Sequence, residues 1–143
     1  MLLVVGACGR IGYDELIAPI DAAVDASPVD GLPACPSGMV PTCADGPVCV
    51  DVAERGTIDW TAARDACAAD GARLCTDAEW AEACACAAGL IDMANDGAGA
   101  MPEWEWVAEE SGGVAQKRGY ASCDDTSSHS VLDAYDYRCC ADR

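Results

Sequence analysis

Cysteine is the residue type in this sequence that could carry the most chemistry. The chain has 11 cysteines among 143 residues, and cysteine thiolates bind metals, act as nucleophiles or pair as disulfides. Structural zinc sites favour cysteine pairs separated by ~2–4 residues, whereas the short spacings here are Cys84-Ala85-Cys86 and the adjacent Cys139-Cys140. The sequence contains one histidine, His129. This pattern favours disulfides over zinc or iron–sulfur sites, and therefore an oxidising compartment.

Cys8 accounts for the odd number of cysteines. The sequence Val5-Gly6-Ala7-Cys8 resembles a bacterial lipobox, in which small residues precede a cysteine that is acylated. No basic region and no apolar stretch of ~7–15 residues comes before it, so we interpret residues 1–8 as a truncated lipoprotein signal. The alternative is an apolar segment without function. Lipidation would anchor the protein in the outer membrane of a cell envelope, on its periplasmic or outer surface.

Ten cysteines then remain, enough for five disulfides. They are Cys35, Cys43, Cys49, Cys67, Cys75, Cys84, Cys86, Cys123, Cys139 and Cys140.

Composition and charge exclude several classes of protein. The hydrophobic fraction of 52% includes 28 Ala and 11 Cys, and the chain has no Phe, so it has few large side chains for a deep aliphatic core. A net charge of −17 argues against nucleic acid and against electrostatic binding to anionic lipid. No apolar run approaches the ~20 residues that a transmembrane helix needs.

The chain divides into a tether and one folded domain. Residues 9–34 are rich in Ala, Asp and Pro without a helical or strand period, which predicts a disordered tether. Residues 35–143 contain turn signals, two helices and several short strands, which predicts an α+β domain. Its 20 acidic and seven basic residues give it a net charge of −13, and we expect a monomer.

Capping signals define the two helices. Thr57 or Asp59 precedes the first helix, which Gly71 ends. Its residues Trp60, Ala63 and Cys67 share one buried face. The second helix begins with a Thr-x-x-Glu capping box, residues 76–79, and carries Trp80 and Cys84 on one face.

Three segments alternate in a way that predicts β-strands, namely 48–52, 103–107 and 135–140. In the second of these, Glu103 and Glu105 share one face, and Trp104 and Trp106 share the other. The glutamates are interpreted as the solvated face of the strand, with a cation site as the alternative.

Trp104 and Trp106 could stack against a sugar, while at least one of the two should pack in the core; Trp104 is kept as the candidate binding residue.

Acidic residues near the end of the chain are a second candidate site. Asp124 and Asp125, together with Asp133 and Asp136, could ligate calcium in a loop-rich region, although acidic residues are frequent throughout this domain. His129 lies between two serines and is interpreted as a polar surface residue. The candidate binding residues are Trp104, Glu103, Glu105, Asp124 and Asp125.

Residues 60–84 resemble the helix–loop–helix of the formylglycine-generating enzymes, or sulfatase-modifying factors. The matching residues are Gly71, Arg73, Leu74, Thr76, Glu79 and Trp80, with Cys75 in place of the family's proline. Shorter matches follow at Glu105-Trp106, Lys117-Arg118-Gly119 and Tyr137-Arg138-Cys139. The resemblance implies a C-type-lectin-like fold with two helices and short antiparallel strands.

The resemblance also implies which catalytic groups to look for. The family oxidises a sulfatase cysteine with two copper-binding cysteines five residues apart. Here Cys123 lies near the first position and Ser128 occupies the second, so the paired thiolates that select Cu(I) are missing. The family's calcium-binding strand also lacks its Asn, because Pro102 takes that position when Glu105 is aligned. Copper is therefore not expected, and Cys123 is a weak catalytic candidate.

Three hypotheses follow for the function. The first is a lipid-anchored, non-catalytic binding module whose ligand is a glycan or a protein. The second is a minimal formylglycine-generating oxidoreductase, and the third is an envelope protein without a ligand, since fold alone does not fix function.

The lectin-like fold also suggests disulfide pairings. Cys67 would bridge the first helix to Cys139 or Cys140, and Cys75 would pair with Cys84. A third group, Cys35, Cys43 and Cys49, would pair internally or with Cys86 and Cys123.

Overall fold

The computed structural model describes residues 31–91, 93–94 and 104–143. In chain order, the elements are β1 Met39–Pro41, β2 Val48–Asp51, β3 Arg55–Asp59, α1 Trp60–Ala69, β4 Arg73–Leu74, α2 Asp77–Cys86, β5 Glu105–Ser111, β6 Val114–Arg118, β7 Thr126–Ser130, β8 Ala134–Tyr137 and β9 Cys139–Asp142. The predicted α+β class is confirmed. The predictions for Cys8, for Glu103 and for the tether up to residue 30 lie outside the described residues.

The strands form two sheets. One has the order β1-β2-β9-β4 and is antiparallel throughout. The other has the order β3-β8-β5-β6-β7, in which only β5 and β8 run parallel. None of the described helices is long and apolar enough to cross a membrane.

Local capping chemistry sets the helix boundaries, as the sequence predicts. Asp59 caps α1 by accepting a hydrogen bond from the Ala62 amide at 2.9 Å, and Gly71 follows the helix with a φ of +74°, a conformation that favours glycine. The capping box between Thr76 and Glu79 is present at the start of α2. Each helix therefore begins where a side chain satisfies its first free amides.

The buried side chains form two clusters on opposite faces of the five-stranded sheet. The α1 cluster contains Trp60, Ala63, Cys67, Leu74, Trp106, Ala115, Tyr137 and Cys139. The α2 cluster contains Val50, Cys75, Trp80, Ala83, Val107 and Cys140. Trp106 and Val107 are adjacent in β5 and belong to different clusters, because successive side chains of a strand point to opposite faces.

The prediction that β5 has a solvated face is wrong, because both faces of its sheet are covered. The sequence predicts a solvated face carrying Glu105, but Glu105 is only 2% exposed because α2 packs on that face. Trp106 is fully buried, which confirms that at least one of the two tryptophans is in the core.

The predicted strand at 135–140 is also wrong in its length. It divides at Arg138 into β8 and β9, which belong to different sheets.

All ten predicted disulfide cysteines are paired. The bonds are Cys35–Cys49, Cys43–Cys86, Cys67–Cys139, Cys75–Cys140 and Cys84–Cys123. The pairing of Cys67 with the C-terminal strand is confirmed, as are the partners expected for Cys35, Cys43 and Cys49.

The expected Cys75–Cys84 bond is wrong, and so is the grouping of Cys123 with the N-terminal cysteines. Cys75 follows β4, which pairs with β9, and its side chain meets Cys140 in the α2 cluster. Cys84 is thereby left to bridge α2 to Cys123.

Candidate functional site

Lys117 is the fourth of the five residues of β6, and its ammonium lies between two aromatic rings. The register places Lys117 opposite Trp106 of β5 and Ser127 of β7, so these three side chains share one sheet face. The Nζ atom is 4.6 Å from the ring centroid of Trp104 and 3.7 Å from that of Tyr135. We call Lys117, Trp104 and Tyr135 the aromatic cage. Both distances are within the range of favourable cation–π contacts.

Further rings extend the aromatic cage on both sides. Tyr120 stacks on Trp104 with the centroids 5.2 Å apart and the planes 25° apart. On the other side, the edge of Tyr135 meets His129 at 5.6 Å. The result is a row of rings along one sheet face, in which Tyr120 is 44% exposed and Trp104 and Tyr135 are half-buried.

Polar groups border the aromatic cage beside Tyr135. The Tyr135 hydroxyl lies 3.1 Å from Nδ1 of His129, and the same nitrogen lies 2.9 Å from a carboxylate oxygen of Asp133. His129 is exposed, as the sequence predicts. Together, the rings and this polar rim resemble the lining of ligand sites, which combine apolar surface with a few oriented polar groups.

Trp104 is the predicted binding residue that belongs to this cage. Sequence reasoning missed Lys117, Tyr120 and Tyr135, because their proximity depends on the strand order of the five-stranded sheet. The one sequence signal was the alternation of aromatic residues at 104–106 and 135–137, which marks two strands whose rings can share a face.

Glu105, another predicted binding residue, belongs instead to a buried network with Arg138. The Nε atom of Arg138 donates to both Glu105 carboxylate oxygens at 3.0 Å, and the Trp80 indole donates to one of them at 3.0 Å. Burial raises the pKa of Glu105, and the charge of Arg138 opposes that rise. A carboxylate enclosed in this way is not exposed to a ligand.

The aspartates predicted as calcium ligands have separate partners. Asp125 accepts a hydrogen bond from the Ala121 amide at 2.8 Å, Asp133 contacts His129, and Asp136 accepts a hydrogen bond from the Thr57 hydroxyl at 2.6 Å. Asp124 is exposed. Within the described ranges, no three acidic, histidine or cysteine side chains come together as a metal site.

Cys123, the weak catalytic candidate, is bonded to Cys84 of α2. A disulfide sulfur is not a thiolate, and the thiolate is both the nucleophile and the metal ligand. The backbone of Cys123 is also held, because its carbonyl accepts a hydrogen bond from Arg118 at 2.8 Å. In this oxidised form, Cys123 therefore crosslinks the segment between β6 and β7 to α2.

A polar hollow lies beside β6 and β7. Its volume is about 390 Å³, and it is lined by Asp77, Gln116, Thr126, Ser127 and Ser128. Arg118 reaches across to Asp77, and this hydrogen bonding raises the pKa of Arg118. The Arg118 charge is therefore neutralised within the protein.

Comparison with known proteins gives no further guide to the site: no protein-family model and no curated protein matches the chain. The chemistry of the aromatic cage is therefore the basis for assigning a function.

Proposed function

We propose that the protein is a non-catalytic binding module outside the cytoplasm, with a glycan or a protein as its ligand. The observation that carries this proposal is the aromatic cage. It combines a buried ammonium, half-exposed rings and a polar rim on one sheet face. Aromatic rings bind the apolar faces of sugars and are also frequent contact residues in protein interfaces.

The scaffold we propose is a C-type-lectin-like domain of the sulfatase-modifying-factor type. Three features support it. The residues that resemble the family helix–loop–helix occupy α1, β4 and α2 in the expected order. The Cys67–Cys139 disulfide ties the first helix to the C-terminal strand, and the Thr76–Glu79 capping box starts the second helix.

The five disulfides favour an oxidising, extracytoplasmic environment. Within it, we propose that a lipid on Cys8 holds the protein at the outer membrane. Expression of the precursor in a lipoprotein-processing bacterium with radiolabelled fatty acid tests this, and the matched variant is Cys8→Ser. Label in the wild-type protein that is absent from the variant supports the anchor, and equal labelling of both overturns it.

The Cys84–Cys123 disulfide supports a non-catalytic role over the oxidoreductase alternative. That alternative needs free thiolates, so a thiol titration of the denatured mature protein separates the two. Binding without catalysis predicts no free thiol after Cys8 is lipidated. Two or more free thiols, together with aldehyde formation on a sulfatase peptide in saturating copper, would overturn the proposal.

Ligand binding is tested directly with the folded domain. We expect the fluorescence of Trp104 to change when a bound glycan or protein reaches the aromatic cage, and the change to disappear in Trp104→Ala. Saturable binding that Trp104→Ala does not weaken would place the ligand elsewhere and contradict the assigned site.

A further inference from the structure

Lys117 differs from the other basic side chains in the described part of the chain. Each arginine there donates hydrogen bonds to carboxylate or backbone carbonyl oxygens. These are Arg55, Arg64, Arg73, Arg118, Arg138 and Arg143. Lys117 is 3% exposed, and its ammonium lies over the rings of Trp104 and Tyr135.

An ammonium has three N–H donors. Aromatic ring faces stabilise its positive charge, but they are poor acceptors for its hydrogen bonds. With the described residues, the Lys117 ammonium makes these two ring contacts and no hydrogen bond. The side chain is buried overall, but its Nζ is not among the fully enclosed polar atoms without a partner, so it can accept a partner from outside the cage. The aromatic cage is therefore suited to a ligand that brings an acceptor to Lys117.

The groups around Lys117 limit the chemistry of that ligand. Trp104 and Tyr120 offer ring surface for an apolar ring face. The hydroxyl of Tyr135 and the side chains of His129 and Asp133 offer polar contacts for hydroxyl groups. A sugar has an apolar face and surrounding hydroxyls. If it also carries a carboxylate, it supplies the charge-assisted hydrogen bond that an ammonium makes most strongly.

We propose that Lys117 binds the carboxylate of a uronic acid residue in a glycan, with the sugar ring against Trp104 and Tyr120. The inference rests on the proposed binding function and names the class of its ligand. A neutral sugar would bring no counter-charge to Lys117, which makes no ion pair with the described residues.

The net charge of the protein restricts the glycan further. At −17, the chain repels polymers with closely spaced anionic groups. Charges farther apart than about 8 Å are largely screened at physiological salt, so an isolated uronate between neutral sugars can approach Lys117. Glycans with spaced uronates are therefore expected to bind, whereas uniformly anionic chains are not.

The test compares matched ligands on the folded protein by isothermal titration calorimetry. The ligands are oligosaccharides in which glucuronate, galacturonate or mannuronate alternates with neutral sugars. Each is paired with a derivative whose carboxyl group is reduced to a hydroxymethyl group. We expect at least one uronate oligosaccharide to bind about tenfold or more tightly than its reduced form, since losing a charge-assisted contact weakens binding by about this factor.

Variants of Lys117 assign this preference to its ammonium. Lys117→Met keeps the length of the side chain without the charge, and it should abolish the preference for the uronate. Lys117→Arg keeps the charge and should retain part of it. The matched control is Arg64→Gln, because Arg64 also lies over a tryptophan ring, at 5.4 Å from Trp60, but is exposed and paired with Asp65. Near-UV circular dichroism checks that each variant is folded.

The outcomes separate the inference from the proposed function. If the uronate and reduced glycans bind equally through Trp104, the Lys117 inference is wrong and the glycan-binding function stands. If no glycan binds but a protein ligand does, the inference is also wrong and the function as a binding module stands. A uronate preference that persists in Lys117→Met would place the carboxylate contact at another residue and overturn the inference.

Discussion

The domain buries two cations, Arg138 and Lys117, and surrounds them in opposite ways. Arg138 is fully buried and donates to Glu105 and to the carbonyls of Asp51, Val52 and Ile91. Lys117 is nearly as buried, but it contacts ring faces. Arg138 has acceptors for its donors within the protein, whereas Lys117 makes no hydrogen bond with the residues that the structure describes. We infer that Arg138 stabilises the fold and that Lys117 serves binding.

The positions of the two cations agree with this division. Arg138 lies where the chain passes from β8 in one sheet to β9 in the other, and its carbonyl partners come from segments far away in sequence. It therefore fixes how the sheets meet. Lys117 lies within a single sheet, beside half-exposed rings, and the rings that it contacts belong to the same sheet face.

The largest effect is expected from Arg138→Met. The substitution leaves Glu105 as a buried carboxylate without its counter-charge and removes one donor from each of three backbone carbonyls. Removing one partner of a buried ion pair costs about 3–5 kcal/mol, and we expect that loss in the free energy of unfolding, measured by urea denaturation. Arg64→Gln, at an exposed ion pair, should change it by less than about 0.5 kcal/mol. A similar small loss for Arg138→Met would contradict a stabilising role.

Gly119→Ala should have the next largest effect, because it disturbs the packing that covers the Glu105–Arg138 pair. A Cβ atom at Gly119 would lie 2.8 and 2.9 Å from atoms of the Trp80 ring, and the residue has a φ of +94°. Overpacking and the unfavourable φ together should cost about 2 kcal/mol. Trp80 donates to Glu105, so displacing it would weaken the buried network.

Gly56→Ala is the matched control, since a Cβ atom there meets nothing within 4 Å and the φ of Gly56 is not positive. Thermal unfolding should show a lower midpoint for Gly119→Ala and little change for Gly56→Ala. Equal midpoints for the two variants would show that Trp80 can move without cost.

The partly exposed ion pair of Arg73 and Glu79 should make an intermediate contribution to the free energy of unfolding. Burial disfavours the charged form of Glu79, but hydrogen bonds from Arg73 and the Thr76 amide outweigh it and lower the pKa of Glu79 below its usual 4.5. A lowered pKa stabilises the fold above that usual value, and the contribution disappears as the pH falls through the folded-state pKa.

We therefore expect Glu79→Gln to lose about 1 kcal/mol at pH 7, the usual scale for a helix cap, and the difference from wild type to shrink below pH 4.5. Urea denaturation across pH 3–7 measures it. Asp65→Asn removes an exposed ion pair and should show little effect at any pH. A Glu79→Gln difference that stays constant down to pH 3 would mean that the charge of Glu79 does not contribute.

Local features of this fold were predictable from the sequence, and long-range ones were not. The caps at Asp59 and Thr76 involve neighbours three residues away, so the sequence alone specifies them. Glu105 and Arg138 are 33 residues apart, and their pairing depends on which strands adjoin. An alternating pattern predicts one buried and one solvated face, but it does not show that a helix covers the second.

The candidate site shows the same limit. Trp104 was predictable as an aromatic residue on a strand, but its contact with Lys117 depends on the pairing of β5 with β6. The contact of Lys117 with Tyr135 depends on β8 lying on the other side of β5. The disulfide pairing also depends on the strand order, because Cys75 meets Cys140 only where β4 lies beside β9.

The smallest change in the free energy of unfolding is expected from Lys117→Met. This variant tests whether Lys117, unlike Arg138, is dispensable for the fold. Loss of the cation–π contacts destabilises the fold, while removal of a charge from a largely buried position stabilises it, and a thioether also packs well against rings. These effects offset each other, so we expect the free energy of unfolding to change by less than about 0.5 kcal/mol. Urea denaturation beside Arg138→Met measures both under the same conditions. A loss of about 3 kcal/mol or more would show that Lys117 stabilises the fold as Arg138 does. It would contradict a role of Lys117 in binding alone.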